Sequence, residues 1–400
     1  MKYLVIIGNG LTDQPFAHKD NKTVLQLAET PNLDRLAQIG RTGSIRTIPE
    51  SLHPGNDVSF LSLLGYDPEH HFAGAAEFEA IALGVEPSEG RIALCCDLVI
   101  LQSSHTDMVM KDYTANQLCG EEAEVLLKAL REQVVDVDVS FHLGAGYHNL
   151  MTIKTDPLPN RLLPPDDLIG EGVRDRMPSG PDAKRLVFLM NQAQIILHNH
   201  PLNQSRRNEG FDPVNSVWFW GNGEKPSLPS FTGKYTFNAG VVTASTLFQG
   251  MALNASMKVV PVAGATGFMD TDYSAKVSAA LSALEDLDLV YLQITAPERP
   301  SMQGLVEDKI LAVEDFDREV IGPVMGSLAE KNNVKILLVV NQMCSANLMR
   351  YTRDAVPFIV YPSKDGADKV DEFNENILLA GANCFANGPE LMSAWFKGEL

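Results

Sequence analysis

Three apolar runs constrain this chain most: "KYLVIIG", "LDLVYLQI" and "NVKILLVV". None alternates with polar residues, so each reads as a strand buried on both faces, which a parallel sheet covered by helices requires. Each ends in a polar loop, "NG" after the first, "TAPERP" after the second and "NQMCSAN" after the third. Helical stretches lie between them. "PNLDRLAQIG" has Pro31 at its start, Leu33, Leu36 and Ile39 on one face and Gly40 as a stop, while "KVSAALSALEDL" and "FDREVIGPVMGSLAEK" precede the two later strands. Strands alternating with helices predict a doubly wound α/β sheet, whose ligands gather at the carboxyl ends of the strands.

The middle of the chain has another grammar. "ALCCDLVILQ", "VDVSFHLGAGYHNLMTI" and "KRLVFLM" suggest a smaller α+β unit inserted into the first, and "VWFWGNGEKPSLPSF" reads as a strand breaking into a Gly/Pro loop that returns to the main sheet. Four hundred residues exceed one ordinary core, which also favours two domains. The boundaries expected are 1–65 with 212–400 for the discontinuous core and 66–211 for the insertion.

The net charge of −19 argues against nucleic acid and anionic lipid as partners, because both favour a basic face. Five cysteines, two of them the adjacent Cys95 and Cys96, make no disulfide framework and point to a reducing compartment. No signal peptide and no membrane-length apolar segment is apparent, so the expected location is cytoplasmic.

"HPGNDVSFLSLL" adds a chemical question. Pro54 and Gly55 form a turn and a helical pattern follows, which sets the first N–H groups of a helix beside residue 56. Such turns present Ser, Thr or Cys nucleophiles, whereas Asn56 carries an amide that cannot act as one.

"GYDPE", "DYTANQ" followed by "EEA", "PPDD", "WFWGNGEKPSLPSF", "PVAGATGFMDTDYSAK" and "TAPE" occur in that order. Together they resemble the archaeal-type cofactor-independent (2,3-bisphosphoglycerate-independent) phosphoglycerate mutase family of the alkaline phosphatase superfamily. The resemblance spans nearly the whole chain. It implies an alkaline-phosphatase-like, doubly wound, mostly parallel sheet with an inserted smaller α+β cap. It also implies two divalent metals and a Ser that carries the phosphoryl group of phosphoglycerate.

Carried over residue by residue, the resemblance places the nucleophile at Asn56, beside Asp57, and the metal ligands at Asn9, Glu298, Met302, Asn341, Gln342 and Tyr351. Substrate-pocket positions of the family fall at Asp57, Ala75, Cys95, Gln117, His148 and Asp166. Of the ligand and nucleophile positions, only Glu298 keeps a carboxylate, and all nine histidines lie at or before His200. Neutral amides are poor hosts for paired dications. The expectation is therefore an inactive paralogue with a binding or regulatory role and no metal. Its partners would be a small phosphorylated ligand, a second copy of the chain or an active homologue. The alternative is an active mutase or related phosphotransferase with relocated ligands and two Mn, Mg or Zn ions.

Blander readings accompany these. Asn9 and Asn56 suit turns and helix starts, and Glu298 reads as a solvated loop acid. His148 reads as a surface or core-edge residue, and Cys95 and Cys96 as packed small hydrophobes without a flanking His or Lys. His70 and His71 are adjacent and should point apart; Thr266, Asp270 and Asp272 read as a structural turn; Trp218 and Trp220 read as core. Arg206-Arg207, in a polar loop, is the best remaining anion handle.

Overall fold

A computed structural model describes residues 1–105, 107–155, 162–180, 183–328, 333–368, 370–379 and 383–400. The chain divides into two compact units, Met1–Phe72 with Ser227–Leu400, and Ala73–Pro226.

The first unit is built on a sheet of eight strands. Their spatial order is Cys384–Phe385, Arg41–Ile45, Val356–Tyr361, Val334–Val340, Lys2–Gly8, Leu289–Ile294, Ala239–Val242 and Lys258–Val259. The three apolar runs of the sequence are the adjacent parallel strands at its centre, with Lys2–Gly8 between the other two. Leu4, Val5, Ile6 and Ile7 are fully buried, which explains the absence of alternation. Val356–Tyr361 runs antiparallel to both its neighbours, so the sheet is mostly rather than wholly parallel. This is the α/β class the sequence predicts.

Register decides where the loops meet. Gly8 lies opposite both Ile294 and Val340, so Asn9, Thr295 and Asn341 leave the sheet side by side. Lys2–Gly8 is also the strand from which the order proceeds in both directions, the switch point where a doubly wound sheet opens a crevice. The helix Pro31–Ile39 starts with Pro as expected, but its buried face is Leu33, Leu36 and Ala37, with Ile39 at the edge. The stretch "FDREVIGPVMGSLAEK" is less regular than its pattern suggests: a π-helical turn at Asp317–Ile321 joins Val306–Phe316 to Gly322–Leu328.

One buried ion pair and one buried, hydrogen-bonded carboxyl group fasten the loop that follows Asn9. Lys309 Nζ donates to Asp13 Oδ2 at 2.7 Å, to the Thr12 carbonyl at 2.9 Å and to the Cys344 carbonyl at 2.6 Å. Glu375 accepts from the Asp13 N–H at 3.1 Å and from the Thr23 hydroxyl. Burial pushes the Glu375 carboxyl up to about 7, against hydrogen bonds from Thr23 and Asp13 that pull it down. A raised carboxyl pKa stabilises the fold fully below its unfolded value and loses that contribution as pH rises through the folded value. The shift corresponds to on the order of 3 kcal/mol. Glu375→Gln should therefore gain melting temperature relative to the natural protein between pH 4.5 and 7.5, as read by thermal denaturation. A difference that stays flat across that window would contradict the assignment.

The inserted unit is an antiparallel sheet with the order Met108–Asp112, Arg91–Ser103, His148–Lys154 and Val139–Ala145. Ser216–Trp220 also pairs with Arg91–Ser103, so this strand belongs to the insertion and does not return to the main sheet. That pairing carries the second division to after Pro226, and the first falls after Phe72; both lie later than the 65/66 and 211/212 boundaries read from the sequence. "KRLVFLM" lies within the helix Ala183–His198. Among the described residues, no helix is long and apolar enough to cross a membrane.

Candidate functional site

Gly10 sets the first element of the site in the larger unit. Its φ of +67° is left-handed, and a Cβ there would stand 2.8 Å from the Glu298 Cα, so only glycine lets the loop pass this close. The turn brings Asn9, which is fully buried, against the helix Glu298–Met302. Asn9 Nδ2 donates to Glu298 Oε2 at 2.8 Å, and Asn9 Oδ1 accepts from Gln293 Nε2 at 3.1 Å. Those two partners fix which end of the amide faces the carboxylate.

Asn56 is the hub. It opens the helix Asn56–Leu63 behind Gly55, as the sequence predicts. Its Nδ2 donates to Glu298 Oε1 at 3.2 Å, to Oε2 at 3.3 Å and to the Tyr351 hydroxyl at 3.1 Å. Its Oδ1 accepts from Asn341 Nδ2 at 2.8 Å and from Gln342 Nε2 at 3.1 Å. Asn341 Oδ1 in turn accepts the Gly10 N–H at 3.2 Å. Tyr351 arrives on a short hairpin in which it pairs with Cys344. Asp57 is buried and accepts the Val58 N–H at 3.0 Å, and Met302 packs as a buried thioether one turn after Glu298.

Asn9, Asn56, Glu298, Asn341, Gln342 and Tyr351 are therefore brought together in one hydrogen-bonded network. Glu298 is fully buried rather than a solvated loop acid, because three strand-end loops and a helix start converge on it. Asn9 and Asn56 are not simple turn residues; they supply the N–H groups that replace water around that carboxylate. One acceptor remains open: Gln342 Oε1 is buried and has no partner among the described residues.

Lys276, which closes the "GATGFMDTDYSAK" string, is a buried cation that no motif of the sequence singles out. Its side chain is fully buried, and Nζ has one acceptor among the described residues, the Thr266 carbonyl at 3.0 Å. Burial lowers it to about 8. The turn above it is structural, as expected: Thr266 Oγ1 donates to Asp270 Oδ1 at 2.6 Å, and Asp272 caps the helix Tyr273–Asp286. Phe268 of the same turn lies under the guanidinium of Arg299, the residue after Glu298.

In the inserted unit, Cys95 and His148 are brought together by strand pairing. Asp97 lies opposite His148 and Cys95 opposite Trp220, while Cys95 and Asp97 share one face of the strand Arg91–Ser103. His148 Nδ1 meets Asp97 Oδ1 and Nε2 meets Glu79 Oε2 at 2.5 Å. Trp220 Nε1 donates to Asp97 Oδ2 at 2.9 Å, so Trp220 belongs to this cluster and only Trp218 is plain core. Burial draws the imidazole pKa down, but the Asp97 and Glu79 carboxylates outweigh it and hold His148 well above its ordinary value. Burial, then Glu79, pushes the Cys95 thiol well up. Cys95 and Cys96 are packed as expected, yet Cys95 does have a histidine neighbour, supplied from 53 positions along the chain by sheet pairing.

The remaining candidates stand elsewhere. Ala75 is buried at the start of the helix Ala75–Ala82 that carries Glu79. Gln117 is exposed on a left-handed turn, its N–H bonded to Thr114 Oγ1, and Asp166 is half-buried on the short 3-10 turn Pro165–Leu168. Arg206 is no free anion handle: it is buried on the helix Pro201–Asn208, donating to Glu122 at 2.8 Å and to the Ala115 and Asp212 carbonyls. His70 turns to Asp67 at 2.6 Å while His71 lies edge-on to Tyr66, so the pair does point apart.

Comparison with known proteins identifies the family and the fold. The family model described as 2,3-bisphosphoglycerate-independent phosphoglycerate mutase matches residues 37–203. A probable enzyme of that name from Geobacter sulfurreducens is 37% identical over 95% of this chain and 94% of its own. The Methanothrix thermoacetophila enzyme is 36% identical over the full length of both. Among solved structures, a Pyrococcus horikoshii protein superposes with a TM-score of 0.75 at 25% identity, covering 99% of this chain and 96% of that one. The cofactor-independent phosphoglycerate mutase of Thermoplasma acidophilum superposes with a TM-score of 0.56, also at 25% identity, covering 99% of both chains. By end-to-end similarity in sequence and fold, the chain belongs to the 2,3-bisphosphoglycerate-independent phosphoglycerate mutase family.

Proposed function

We propose that this chain is a phosphoglycerate mutase homologue that binds without transferring a phosphoryl group. The observation that carries the reading is the use of Asn56. Where the family resemblance calls for a nucleophile, the side chain is an amide whose N–H groups are turned to Glu298 and Tyr351 and whose oxygen accepts from Asn341 and Gln342. An amide so engaged has no lone pair to offer phosphorus and no proton to lose.

The donor set does not fit two divalent cations. A dinuclear site clamps attacking and leaving oxygens with metals about 4 Å apart, held by several anionic or imidazole ligands. Among the nucleophile and ligand positions Glu298 is the single carboxylate, and N–H groups of Asn9 and Asn56 already point at both its oxygens. N–H donors repel a cation as firmly as they hold a carboxylate.

What remains suits a receptor. Lys276 holds a buried positive charge with one carbonyl partner, and Gln342 Oε1 is an acceptor awaiting a donor. A small phosphorylated hydroxy acid offers an anion to the first and a hydroxyl to the second. The test joins three measurements on the purified protein. Conversion of 3- to 2-phosphoglycerate in the presence of Mn, Mg or Zn should be absent. Cation content should not respond to Glu298→Gln. 3-Phosphoglycerate should raise the melting temperature, and Lys276→Met should abolish that shift. Turnover that a chelator abolishes, or two cations per chain released by Glu298→Gln, would overturn the proposal.

A further inference from the structure

The cluster in the inserted unit carries a thiol and an imidazole, which the amide network lacks. Glu79, Cys95 and His148 each present one ligating atom, and these atoms lie within 4.8 Å of one another. Among the described residues, no other group of His, Cys, Asp and Glu converges in this way. Each comes from a different element, the helix Ala75–Ala82, the strand Arg91–Ser103 and the strand His148–Lys154. We infer that Glu79, Cys95 and His148 form a binding site for a single zinc ion.

The donor types select the metal. One thiolate, one imidazole and one carboxylate form a mixed S/N/O set that suits zinc and leaves a fourth position open; magnesium and calcium require oxygen donors throughout. The surroundings are those of a metal-binding histidine. Asp97 takes the Nδ1–H of His148 and so aims Nε2 at the other two ligands, and Trp220 fixes Asp97 in turn. The side chains of Glu79 and Asp97 are 4% and 2% exposed and that of His148 is 16%, so the imidazole is the most solvent-accessible of the three.

The charges balance. Without metal, two carboxylates are sealed against one imidazolium, leaving one negative charge in excess. Zinc adds two positive charges and displaces two protons, one from Cys95 Sγ and one from His148 Nε2, so the buried excess is unchanged. His148 Nε2 and Glu79 Oε2, now 2.5 Å apart, need to part by less than an ångström, since two ligands at zinc bond lengths of about 2 Å stand roughly 3.3 Å apart in a tetrahedron.

The proposal is independent of whether phosphoryl transfer occurs in the other unit, and its test keeps the two apart. The full chain is stripped with a chelator, exposed to excess zinc, desalted and measured by mass spectrometry for metal. About one zinc per chain is expected. Cys95→Ser should release it, and Asp97→Asn, a positioning change, should weaken binding by roughly 10- to 100-fold. Glu298→Gln should leave it bound. Cobalt added to the stripped natural protein should give a thiolate-to-metal charge-transfer band, a readout that needs no variant to fold. Absence of zinc after desalting, absence of the cobalt band, or zinc retained in Cys95→Ser would each overturn the site.

Discussion

Asn9→Asp should destabilise the larger unit by about 3 to 5 kcal/mol at pH 8, a fall in melting temperature on the order of 10 °C. The substitution replaces one NH2 group by an oxygen. Asn9 Nδ2 donates to Glu298 Oε2 at 2.8 Å, and both residues are fully buried. An oxygen there removes a charge-assisted hydrogen bond, worth about 1.5 to 3 kcal/mol, and sets two carboxylates in contact. At an effective dielectric constant near 20, like charges about 4 Å apart repel by about 4 kcal/mol. The pair can avoid that cost by sharing a proton, so much of the loss should be recovered as pH falls toward 5. Thermal melts of Asn9→Asp and the natural protein at pH 5 and 8 decide the matter. Equal melting temperatures at pH 8 would mean that the Asn9 amide does not hold Glu298 in place.

Lys309→Met should cost about as much, about 3 to 5 kcal/mol, by a different route. The ammonium has three N–H groups and three buried acceptors, Asp13, the Thr12 carbonyl and the Cys344 carbonyl. Removing it takes that donor from both carbonyls and, among the described residues, leaves the Asp13 carboxylate buried with only the Gln14 and Ala346 backbone N–H groups and no counter-charge. The consequence reaches the site, because Thr12 and Asp13 follow Asn9 in the same loop and Cys344 follows Gln342, so one side chain ties together the loops that carry both. Adding Asp13→Asn to Lys309→Met removes the uncompensated charge and should recover part of the loss. Denaturant titration of the two single variants and the double gives the coupling. A loss below about 1 kcal/mol for Lys309→Met would put the pair in the class of solvent-screened contacts, contrary to its complete burial.

The strand core was legible in the sequence because burial on both faces leaves an unmistakable mark. "YLVIIG" and "ILLVV" have no polar face, and a run with no polar face has to be covered twice. The helix opened by Pro31 and the turn at Pro54-Gly55 were legible for a similarly local reason, since Pro and Gly restrict backbone angles wherever they occur. Loops at strand ends could be named as the place where candidate residues gather on topology alone, and the strand register sets Asn9 beside Asn341.

The sequence by itself thus determined the fold class, the strands that form its centre and the residue types at the candidate positions. Only the tertiary structure decided what those residues do. Nothing in "TAPERP" distinguishes a buried Glu298 from a solvated one; that depends on amides from Asn9 and Asn56, far away in the chain, reaching it first. Arg206 reads as a free cation until Glu122 is found across from it, and Cys95 reads as an inert hydrophobe until sheet pairing brings His148 to its side. The physical reason is common to all three. Backbone preference is local and leaves its trace within a few residues, whereas the state of a buried polar group depends on its partners, which are chosen by register and packing between distant segments.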